Sequence, residues 1–441
     1  MTGYVEPTRP APRIVHLGLG AFHRAHQVWF TQRGDPSWRI AAFPGRSARL
    51  ARVLGAQDCR YTLVERGPDG DAFHPMTALV AAYGADRQTE LDQLVASPAV
   101  KVVTLTITEA GYLLGPDSGI GSANPMLQQE IMALRNGDHP RTAPGRLLKA
   151  LAARREAGGG PLAIVSCDNV RANGARMGAV LRELACAVDW DLTAWLADNA
   201  SFVDTVADRI TPATTEDDIR LVAAATGHHD RAPVVTEPFA EWVLAGEFPS
   251  GRPEWERAGA VVVDDIRPFE RRKLRLLNGA HLLLALAGQK RGHHTVAGAM
   301  SDPVLVRFVE DYWSTAAKGL PEAGPYQHRL RARFTNTRIR HSLTQIATDA
   351  ETKLRERIVP LVTELRAGGG DPHPALRVVA AWLSASEIAA DSPRACAALD
   401  RLAPGWGTNR PLRRALQRAV TDLVQLGDHR SPSKSTEGGI R

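Results

Sequence analysis

A lysine, an asparagine and a histidine stand at short spacing in one segment of this 441-residue chain, as Lys273, Asn278 and His281. Glu270 precedes the lysine by about one helical turn. At about 100° per residue, helical geometry places these four side chains within a sector of roughly 140°. About 12 Å of helix axis separates Lys273 from His281, so one small ligand could contact them all.

These residue types are suited to moving a proton and stabilising a negative oxygen. A solvated lysine has a pKa of about 10.4, but burial disfavours the ammonium and brings the pKa towards neutrality. An asparagine amide donates two N–H bonds without titrating, so it can hold an alkoxide, and a neutral histidine can bind the same oxygen. The residues leave one alternative, an amphipathic helix with a solvated Arg/Lys face and a capped or buried Asn-Gly pair.

The segment of residues 261–290 begins as an apolar run typical of a buried strand, passes Pro268, and continues with leucines at helical spacing. Beyond it the pattern is helical. Candidate helices there are residues 302–317, 338–354, 374–384 and 410–425. This change predicts two domains, residues 1–263 and 264–426, followed by a disordered polar tail, residues 427–441.

The N-terminal region predicts a strand, a glycine turn and a helix. Residues 14–17 form a short apolar run, and Gly18 and Gly20 follow it. Glycines there let the backbone turn tightly and approach a diphosphate, whose charge favours the next helix N-terminus. His23 stands where the third glycine of the dinucleotide-binding fingerprint is expected. A Gly-x-Gly pair is weak evidence alone, but it favours a Rossmann-type α/β domain.

The second predicted strand, residues 38–43, should end in the acidic residue that binds the adenosine ribose 2′-hydroxyl. The chain has no Asp or Glu there, and Arg46 and Arg49 lie close by. An arginine at this place accommodates a 2′-phosphate, so NADP is an option beside NAD. In the alternative interpretation, Arg46 stacks on adenine or faces solvent.

Polar residues follow two further predicted strands. Residues 101–114 lead into Glu109, and the apolar run from Pro161 ends before Asn169. Because ligands of doubly wound sheets lie beyond the carboxyl ends of the strands, both side chains are expected near the cofactor or substrate. From the residues alone, Glu109 could instead be a solvated turn carboxylate and Asn169 a helix N-cap. Cys167 has no basic neighbour in sequence and is expected to be a packed small side chain.

Together these segments resemble the family of polyol-specific long-chain dehydrogenases and reductases. The family signature is Lys, four residues, Asn, two residues, His, which residues 273–281 match. The run GLGAFHRAHQ resembles its N-terminal landmark and adds Phe22 and His23 to the expected cofactor-binding residues. Thr-Glu-x-Gly-Tyr at residues 108–112 matches as well. The resemblance covers roughly residues 13–425 and implies a doubly wound Rossmann-type domain with a mainly α-helical C-terminal domain.

The resemblance also implies a metal-independent oxidoreductase and a role for each residue. Neutral Lys273 removes the proton of a secondary alcohol while hydride passes to NAD(P). Asn169 and Asn278 stabilise the oxygen, and His281 orients it. Glu270 relays the proton to water. In reverse, the protonated lysine serves the reduction of a ketose or keto-uronate.

Residues 333–354 resemble the substrate-side segment of the family, where Arg340, His341 and Lys353 are candidate substrate ligands. The usual Asp-Gly-Ser is replaced by Asp-Ala-Glu at residues 349–351, so the resemblance does not specify the sugar. A polyol of the mannitol/fructose type is the leading substrate. A hexuronate reductase, of mannonate/fructuronate or altronate/tagaturonate type, is the alternative. Its substrate carries a carboxylate and therefore needs an additional cation in the pocket.

Two acidic residues at other strand ends complete the candidates. Asp208 lies in a segment, residues 201–214, that resembles a family turn near the active cleft. Glu237 follows the apolar run of residues 232–236. Asp208 could instead pair with an arginine such as Arg209, and Glu237 could begin a helix whose dipole favours a carboxylate.

Composition narrows the possible partners. The formal charge is +6 and the pI is near 9.3, yet the arginines are scattered and only 6% of residues are aromatic. A nucleic-acid surface is therefore not expected, and an anionic cofactor is a sufficient partner. The pairs His228-His229 and His293-His294 have no carboxylate at ligand spacing, so no metal site is expected.

The chain also lacks the features of a membrane or exported protein. It has no apolar run of about 18 residues and no signal-peptide core, so a cytoplasmic location without a membrane partner is expected. Four widely spaced cysteines indicate neither a disulfide framework nor a zinc site. Family members can act as single chains, which favours a monomer or a weak homo-oligomer. Two other functional hypotheses stay open: a catalytically inactive NAD(P)-binding regulatory protein and a nucleic-acid-binding protein.

Overall fold

A computed structural model of the chain describes residues 11–45, 47–112 and 124–425, with the backbone alone at residues 109, 110, 424 and 425. The chain divides into two compact units, Met1–Glu270 and Arg271–Arg441. The division falls a few residues beyond the 263/264 boundary expected from composition. The expected disordered tail, residues 427–441, lies outside the described residues.

The first unit is built on strands. They are β1 (Ile14–Leu17), β2 (Ile40–Phe43), β3 (Tyr61–Arg66), β4 (Asp71–Met76), β5 (Leu79–Ala82), β6 (Val102–Leu105), β7 (Leu162–Ser166), β8 (Ala200–Asp208), β9 (Val234–Thr236), β10 (Glu241–Ala245) and β11 (Val261–Val262). Within the described residues, eight of them form one sheet in the order β11-β10-β8-β7-β6-β1-β2-β5. A smaller sheet has the order β4-β3-β9.

The helices of this unit connect and cover the strands. They are α1 (Ala21–Ala25), α2 (Gln27–Gly34), α3 (Arg49–Gly55), α4 (Gln88–Ala96), α5 (Pro125–Arg135), α6 (Ala143–Glu156), α7 (Asn173–Val188), α8 (Trp190–Asn199) and α9 (Glu216–Thr226). Helix α10 (Arg267–Arg272) begins in this unit and ends in the second. Short 3₁₀ helices cover Glu109–Tyr112 and Trp255–Ala258.

Strands β5, β2, β1, β6, β7 and β8 run parallel to one another. Every residue of β1, β2, β6 and β7 is buried, as expected for parallel strands with helices on both faces. The strand order reverses direction between β1 and β6, which is where doubly wound sheets bind ligands. The predicted Rossmann-type α/β domain is confirmed.

One local prediction about this unit is wrong, and one alternative that the sequence left open is excluded. The valines of β11 are 45% and 39% exposed rather than buried, because β11 is the edge strand and has a neighbour on one side only. The segment after Glu237 forms strand β10 and not a helix. Glu237 instead accepts a hydrogen bond from the Ile210 amide at 2.6 Å, which joins the end of β9 to the segment after β8.

The second unit is helical, as predicted. Its helices are α11 (Gly279–Lys290), α12 (Val296–Met300), α13 (Pro303–Ala316), α14 (Ala323–Phe334), α15 (Leu343–Ala347), α16 (Ala350–Arg357), α17 (Val359–Ala367), α18 (His373–Ala385), α19 (Pro393–Leu402) and α20 (Arg410–Gln425). Residues 279–288 of α11 are all buried, so α11 is the central helix of this core. No helix of the described residues is long and apolar enough to span a bilayer.

The predicted helix of residues 338–354 is two shorter helices. Asp349 has a left-handed backbone, with φ at +53°, and separates α15 from α16. The Ser342 hydroxyl accepts a hydrogen bond from the Gln345 amide and so caps the first turn of α15. The apolar spacing continues through this break, which is why the sequence pattern alone reads as one helix.

Candidate active site

The glycine turn after β1 is pressed against the end of β6. Gly18 has φ at +115°, and a Cβ built on it would lie 2.0 Å from the Thr106 carbonyl oxygen. The Thr106 hydroxyl donates to the Gly18 carbonyl at 2.8 Å. Gly20 precedes α1 with extended backbone, and a Cβ built on it would lie in ordinary contact with the Gly18 carbonyl oxygen at 3.6 Å. Only glycine fits the first position, and the turn presents backbone without side chains, which suits a diphosphate.

His23, an expected cofactor-binding residue, is fully buried, and a contact with the cofactor stays a prediction. Its ring has no exposed surface and stacks on His16 with centroids 3.3 Å apart and an interplanar angle of 6°. Burial lowers the pKa of both rings, that of His16 to about 3, so both are neutral. The stacked rings pack α1 against β1, the task of the third glycine in the usual fingerprint. Phe22 is partly exposed at the start of α1 and stays a candidate.

The segment after β2 has cationic neighbours. Arg46 lies outside the described residues, and Arg49 is exposed. Arg146 is 4% exposed and donates from Nη1 to the Pro44 carbonyl and from Nε to Gln88 Oε1, both at 3.1 Å. Within the described residues, its Nη2 atom has no hydrogen-bond partner. These charges favour an anion at this strand end.

The segments after β6 and β7 meet at a buried carboxylate that sequence reasoning did not single out. Asp168 accepts hydrogen bonds from the Ile107 amide and from the Tyr112 hydroxyl, both at 2.5 Å. Burial raises the pKa of Asp168 to about 7, although both hydrogen bonds act to lower it. Glu109 belongs to the 3₁₀ helix between these two donors, and its side chain lies outside the described residues.

Asn169 follows Asp168 and is not the helix N-cap that the sequence left open. Helix α7 begins at Asn173, and Ala172 is its N-cap residue. Asn173 donates from Nδ2 to the Asp168 carbonyl at 2.9 Å and to the Thr205 carbonyl at 3.0 Å, and its Oδ1 accepts from the Thr205 amide at 2.9 Å. The Asn173-Gly174 pair was the only sequence signal that Asn173 has this structural role.

Glu270 contacts the other end of the segment that carries Asn169. Its Oε1 accepts a hydrogen bond from the Ala172 amide at 2.7 Å, and Ala172 has a left-handed backbone with φ at +49°. Burial raises the pKa of Glu270, the bond from Ala172 lowers it, and nearby Asp204 raises it again. A carboxyl with a raised pKa exchanges protons closer to neutral pH, which suits the expected relay role.

Asp208 is the last residue of β8 and is 5% exposed. It therefore lies at the carboxyl edge of the sheet, and its substrate role stays a prediction. The next residue, Arg209, donates to Glu65 at 2.7 Å.

Lys273 and Asn278 begin and end a π-helical segment, Lys273–Asn278, between α10 and α11. The Gly279 amide donates to the Leu274 carbonyl, five residues back. In an α-helix, five residues overshoot one turn by about 140°, but a π turn holds more residues and so reduces the overshoot. Lys273 and Asn278 therefore lie closer to one face than α-helical spacing predicted. Such bulges occur frequently at functional sites.

Side chains of α13 support the π-helical segment. The Tyr312 hydroxyl donates to the Arg275 carbonyl and Trp313 Nε1 to the Leu276 carbonyl, both at 2.8 Å. A Cβ built on Gly279 would lie 1.9 Å from the Tyr312 oxygen. The glycine of the Asn-Gly pair is therefore required by the close approach of α13.

Asn278 and His281 present buried polar atoms that the described residues do not satisfy. The two side chains are 8% and 6% exposed, and within the described part of the chain Asn278 Nδ2 and His281 Nε2 have no hydrogen-bond partner. The His281 ring stacks on Phe334 at 4.4 Å and meets the edge of His341 at 4.8 Å. Burial, and then His341, lower the pKa of His281, so its ring is neutral. An unpaired buried polar group costs free energy. A substrate oxygen that formed hydrogen bonds with both atoms would remove that cost.

The three candidate substrate ligands of the second unit differ in their surroundings. His341 lies beside His281, and its role as a substrate ligand stays a prediction. Lys353 donates from Nζ to the Ile346 carbonyl at 3.1 Å and to the Thr348 carbonyl at 2.5 Å, so it closes the turn between α15 and α16. Arg340 is exposed. The substrate roles of Lys353 and Arg340 stay predictions.

In the described ranges, no group of three or more His, Cys, Asp or Glu side chains is arranged to hold a metal ion. His228 and His229 are exposed, and His293 contacts Asp302 at 3.3 Å. Cys167 is 4% exposed, and burial raises the pKa of its thiol well above the usual value. It is the packed side chain that its sequence context predicted.

Both units match models of one protein family. Residues 12–257 match the mannitol dehydrogenase Rossmann domain, and residues 265–423 match the mannitol dehydrogenase C-terminal domain. The D-mannonate oxidoreductase of Escherichia coli (strain K12) is 35% identical over 401 residues, which cover 86% of this chain and 80% of that protein.

Two further proteins differ in the substrate or cofactor that their names state. The polyol:NADP oxidoreductase of Gluconobacter oxydans (strain 621H) is 34% identical over 361 residues, 78% of this chain and 74% of that protein. The structure of Pseudomonas fluorescens mannitol 2-dehydrogenase, a ternary complex with NAD and D-mannitol, is similar with a TM-score of 0.82 and 30% identity. That similarity covers 95% of this chain and 96% of the other.

Proposed function

The chain belongs to the mannitol dehydrogenase family, and from this premise we propose that it is a metal-independent, NAD(P)-dependent dehydrogenase of a polyol secondary alcohol. The observation that carries the proposal is the pair of unsatisfied atoms, Asn278 Nδ2 and His281 Nε2, on the π-helical segment that begins with Lys273 and on α11, which continues it. An amide donor and a neutral imidazole suit an alcohol oxygen, and the amine suits its proton.

In the proposed reaction each side chain has one task. Neutral Lys273 removes the proton of the substrate hydroxyl. Asn169 and Asn278 donate N–H bonds to the oxygen while negative charge develops on it, which lowers the barrier because these dipoles are already oriented. His281 orients the oxygen, and Glu270 passes the proton from the lysine to water. In the reverse direction, Lys273 returns the proton to the reduced oxygen.

The glycine turn fits a dinucleotide, because a Cβ at Gly18 would meet the Thr106 carbonyl at 2.0 Å and glycine lets the backbone turn tightly before α1. A bound nicotinamide dinucleotide would supply the hydride acceptor for oxidation and the hydride donor for reduction. We assign Gly18, Gly20 and Phe22 to the cofactor, with Glu109 near the nicotinamide. Arg46 is assigned to the adenosine end, where an arginine accommodates NADP as well as NAD.

A second candidate function is oxidation of a sugar acid such as mannonate, and reduction of the corresponding keto-uronate. His341, Arg333 and Arg357 lie near enough to His281 to lower its pKa, in that order after burial. Arg333 and Arg357 are 8% and 7% exposed. Positive charges around the substrate oxygen site favour a ligand with a carboxylate. The similarity to a D-mannonate oxidoreductase also supports this candidate.

The function is tested with a substrate panel. We expect a rise in absorbance at 340 nm, the signal of reduced nicotinamide, when alditols or aldonates are mixed with NAD⁺ or NADP⁺. Mannitol, arabinitol, mannonate and altronate cover the two candidate classes. If the protein binds cofactor but is inactive with every alcohol, ketose and keto-uronate, it is a regulatory protein instead of an enzyme.

Substitution of the lysine tests the mechanism. Lys273→Ala should bind cofactor with nearly unchanged affinity and lose about 100- to 10,000-fold in kcat, the usual contribution of a positioned acid or base. Lys290→Ala is the matched control, because Lys290 is an exposed lysine at the end of the same helix. Full activity of the Lys273→Ala enzyme contradicts the assigned role.

We further propose that the enzyme acts in the cytoplasm as a monomer or weak homo-oligomer, with a small molecule as its partner and no role for nucleic acid or membrane. The scattered arginines and the low aromatic content support this. Light scattering after size exclusion measures the oligomeric state. A salt-dependent gel shift would reveal binding to nucleic acid.

A further inference from the structure

Asp168 is a buried carboxylate to which the proposed reaction assigns no task. It is 8% exposed and stands between the end of β7 and Asn169. A buried carboxylate is costly unless hydrogen bonds or charges compensate it, and an apolar side chain at such a place is often more stabilising. Packing alone therefore does not explain why a carboxylate, and not an apolar side chain, lies beside Asn169.

The carboxylate joins two strand ends. One oxygen accepts from the Ile107 amide and the other from the Tyr112 hydroxyl, each at 2.5 Å. Both donors belong to the segment that follows β6, and Asp168 belongs to the segment that follows β7. Because β6 and β7 are parallel neighbours, the carboxylate holds together two loops at the ligand-binding edge of the sheet.

The segment of residues 168–172 is held at both ends. At its start, the side chain of Asp168 is anchored as described and its carbonyl accepts from Asn173 Nδ2 at 2.9 Å. At its end, the Ala172 amide donates to Glu270 at 2.7 Å. Asn169 lies between these anchors. Its backbone is thereby restrained from two sides, which is how a catalytic amide is kept in place.

Resting on the proposed function, we propose that Asp168 is a positioning residue for the oxidation of the alcohol. Its carboxylate fixes residues 168–172 to the segment after β6 and so keeps the amide of Asn169 directed at the reacting oxygen. A displacement of about 1 Å at such a donor costs on the order of 100-fold in rate. Loss of the anchor should therefore lower kcat while the affinity for cofactor changes little.

Three variants test the proposal. In Asp168→Asn, the amide oxygen can accept from Ile107 and the amide nitrogen can donate to the Tyr112 oxygen, so both contacts survive. Asp168→Ala removes both contacts, and Tyr112→Phe removes one. The matched control is Asp218→Ala, which deletes a carboxylate that is 7% exposed and that caps α9 through Thr215.

For each folded variant we would measure kcat and KM with the best substrate of the panel, cofactor affinity by fluorescence titration, and the melting temperature. We expect a kcat within about threefold of wild type for Asp168→Asn, and a loss of about 10- to 100-fold for Asp168→Ala. Tyr112→Phe should fall between them. Cofactor affinity should stay within about threefold throughout, and Asp218→Ala should lose stability without losing kcat.

An unchanged kcat in both Asp168→Ala and Tyr112→Phe overturns the proposal. An equal loss of kcat in Asp168→Asn and Asp168→Ala also overturns it. The same holds if Asp218→Ala loses as much kcat as Asp168→Ala while the two variants have the same melting temperature. If Asp168→Ala does not fold, the comparison of Tyr112→Phe with Asp168→Asn decides. A wild-type enzyme inactive with the whole panel would contradict the proposed function itself, whereas an active wild type with unaffected variants contradicts only the role of Asp168.

Discussion

At the scale of single residues, burial sets which groups carry charge. His281 is kept neutral because a buried imidazole loses the solvation that stabilises its protonated form. A neutral ring can accept or donate a bond to an alcohol oxygen, whereas an imidazolium can only donate. Burial acts on carboxyl groups in the opposite direction, and it raises the pKa of Asp168 and of Glu270. These two acids are therefore closer to titration at neutral pH than an exposed carboxyl group is.

The raised pKa of Asp168 predicts a pH dependence of stability. From 3.8 in the unfolded chain the pKa rises to about 7 in the folded protein, so the folded state holds this proton more strongly. Stability from this group is complete below pH 4 and is lost as the pH rises to 7, by an amount on the order of 4 kcal/mol. The Asp168→Asn protein should lack this pH-dependent contribution to the free energy of unfolding, because an asparagine side chain does not titrate.

The measurement is the urea midpoint of both proteins between pH 4 and pH 8. The advantage of wild type over Asp168→Asn should shrink across that range and stay constant above it. A difference that does not vary with pH would contradict the raised pKa.

At the scale of elements, the π-helical segment carries two of the side chains proposed for the reaction, Lys273 and Asn278. It lies between α10, which carries Glu270, and α11, which carries His281. A π turn is rare and costs hydrogen-bond geometry, so it needs support from elsewhere. Tyr312 and Trp313 give that support by donating to its carbonyls. The packing of α13 and the conformation of the π-helical segment are thus coupled.

Gly279→Ala tests this coupling. The added Cβ would lie 1.9 Å from the Tyr312 oxygen, so α13 or the π-helical segment must shift. We expect a destabilisation of about 1–3 kcal/mol, typical of overpacking, and a loss of kcat larger than the change in cofactor affinity. Removal of the oxygen in Gly279→Ala/Tyr312→Phe should recover part of both.

Gly324→Ala is the control for that substitution, because Gly324 is exposed in α14 and has no atom within 4 Å of a built Cβ. It should stabilise the chain by up to about 1 kcal/mol, the difference in helix propensity. Wild-type kcat in Gly279→Ala would show that the π-helical segment tolerates the shift and does not set the activity.

At the scale of the whole molecule, the chain pairs a cofactor-binding sheet with a helical unit that carries the proposed acid/base residue. The carboxyl edge of the sheet gathers Gly18, Asp168 and Asn169 from strands β1 and β7. The π-helical segment gathers Lys273 and Asn278. The proposed dinucleotide site and the proposed acid/base lysine therefore belong to different units, so cofactor affinity and turnover can be measured separately.

Cofactor binding should stabilise the protein in proportion to its affinity. At a concentration 100-fold above Kd, a ligand adds about 2.7 kcal/mol to the free energy of unfolding. Wild type should melt at a higher temperature with NADH or NADPH, and the larger shift identifies the preferred cofactor. Gly18→Ala should show no shift with either, because its Cβ would collide with the Thr106 carbonyl. A shift equal to that of wild type would contradict the role of the glycine turn.

The sequence by itself determined the elements whose signals are local. Residues 14–25 are a buried strand, a glycine turn and a helix because apolar spacing and glycine conformation act over a few neighbours. The same holds for the helical nature of the second unit. Resemblance then supplied the family, and the order of the sheet confirmed the fold.

Only the tertiary structure decided the rest, since it depends on residues far apart in the chain. Asp168 and Tyr112 are separated by 56 positions, and Tyr312 and Arg275 by 37. The burial of His23 depends on His16 in the neighbouring strand, and no spacing rule shows a π turn whose support comes from another helix. Side-chain periodicity reports which face an element buries, but not which distant partner meets it, and that partner sets the geometry of the site.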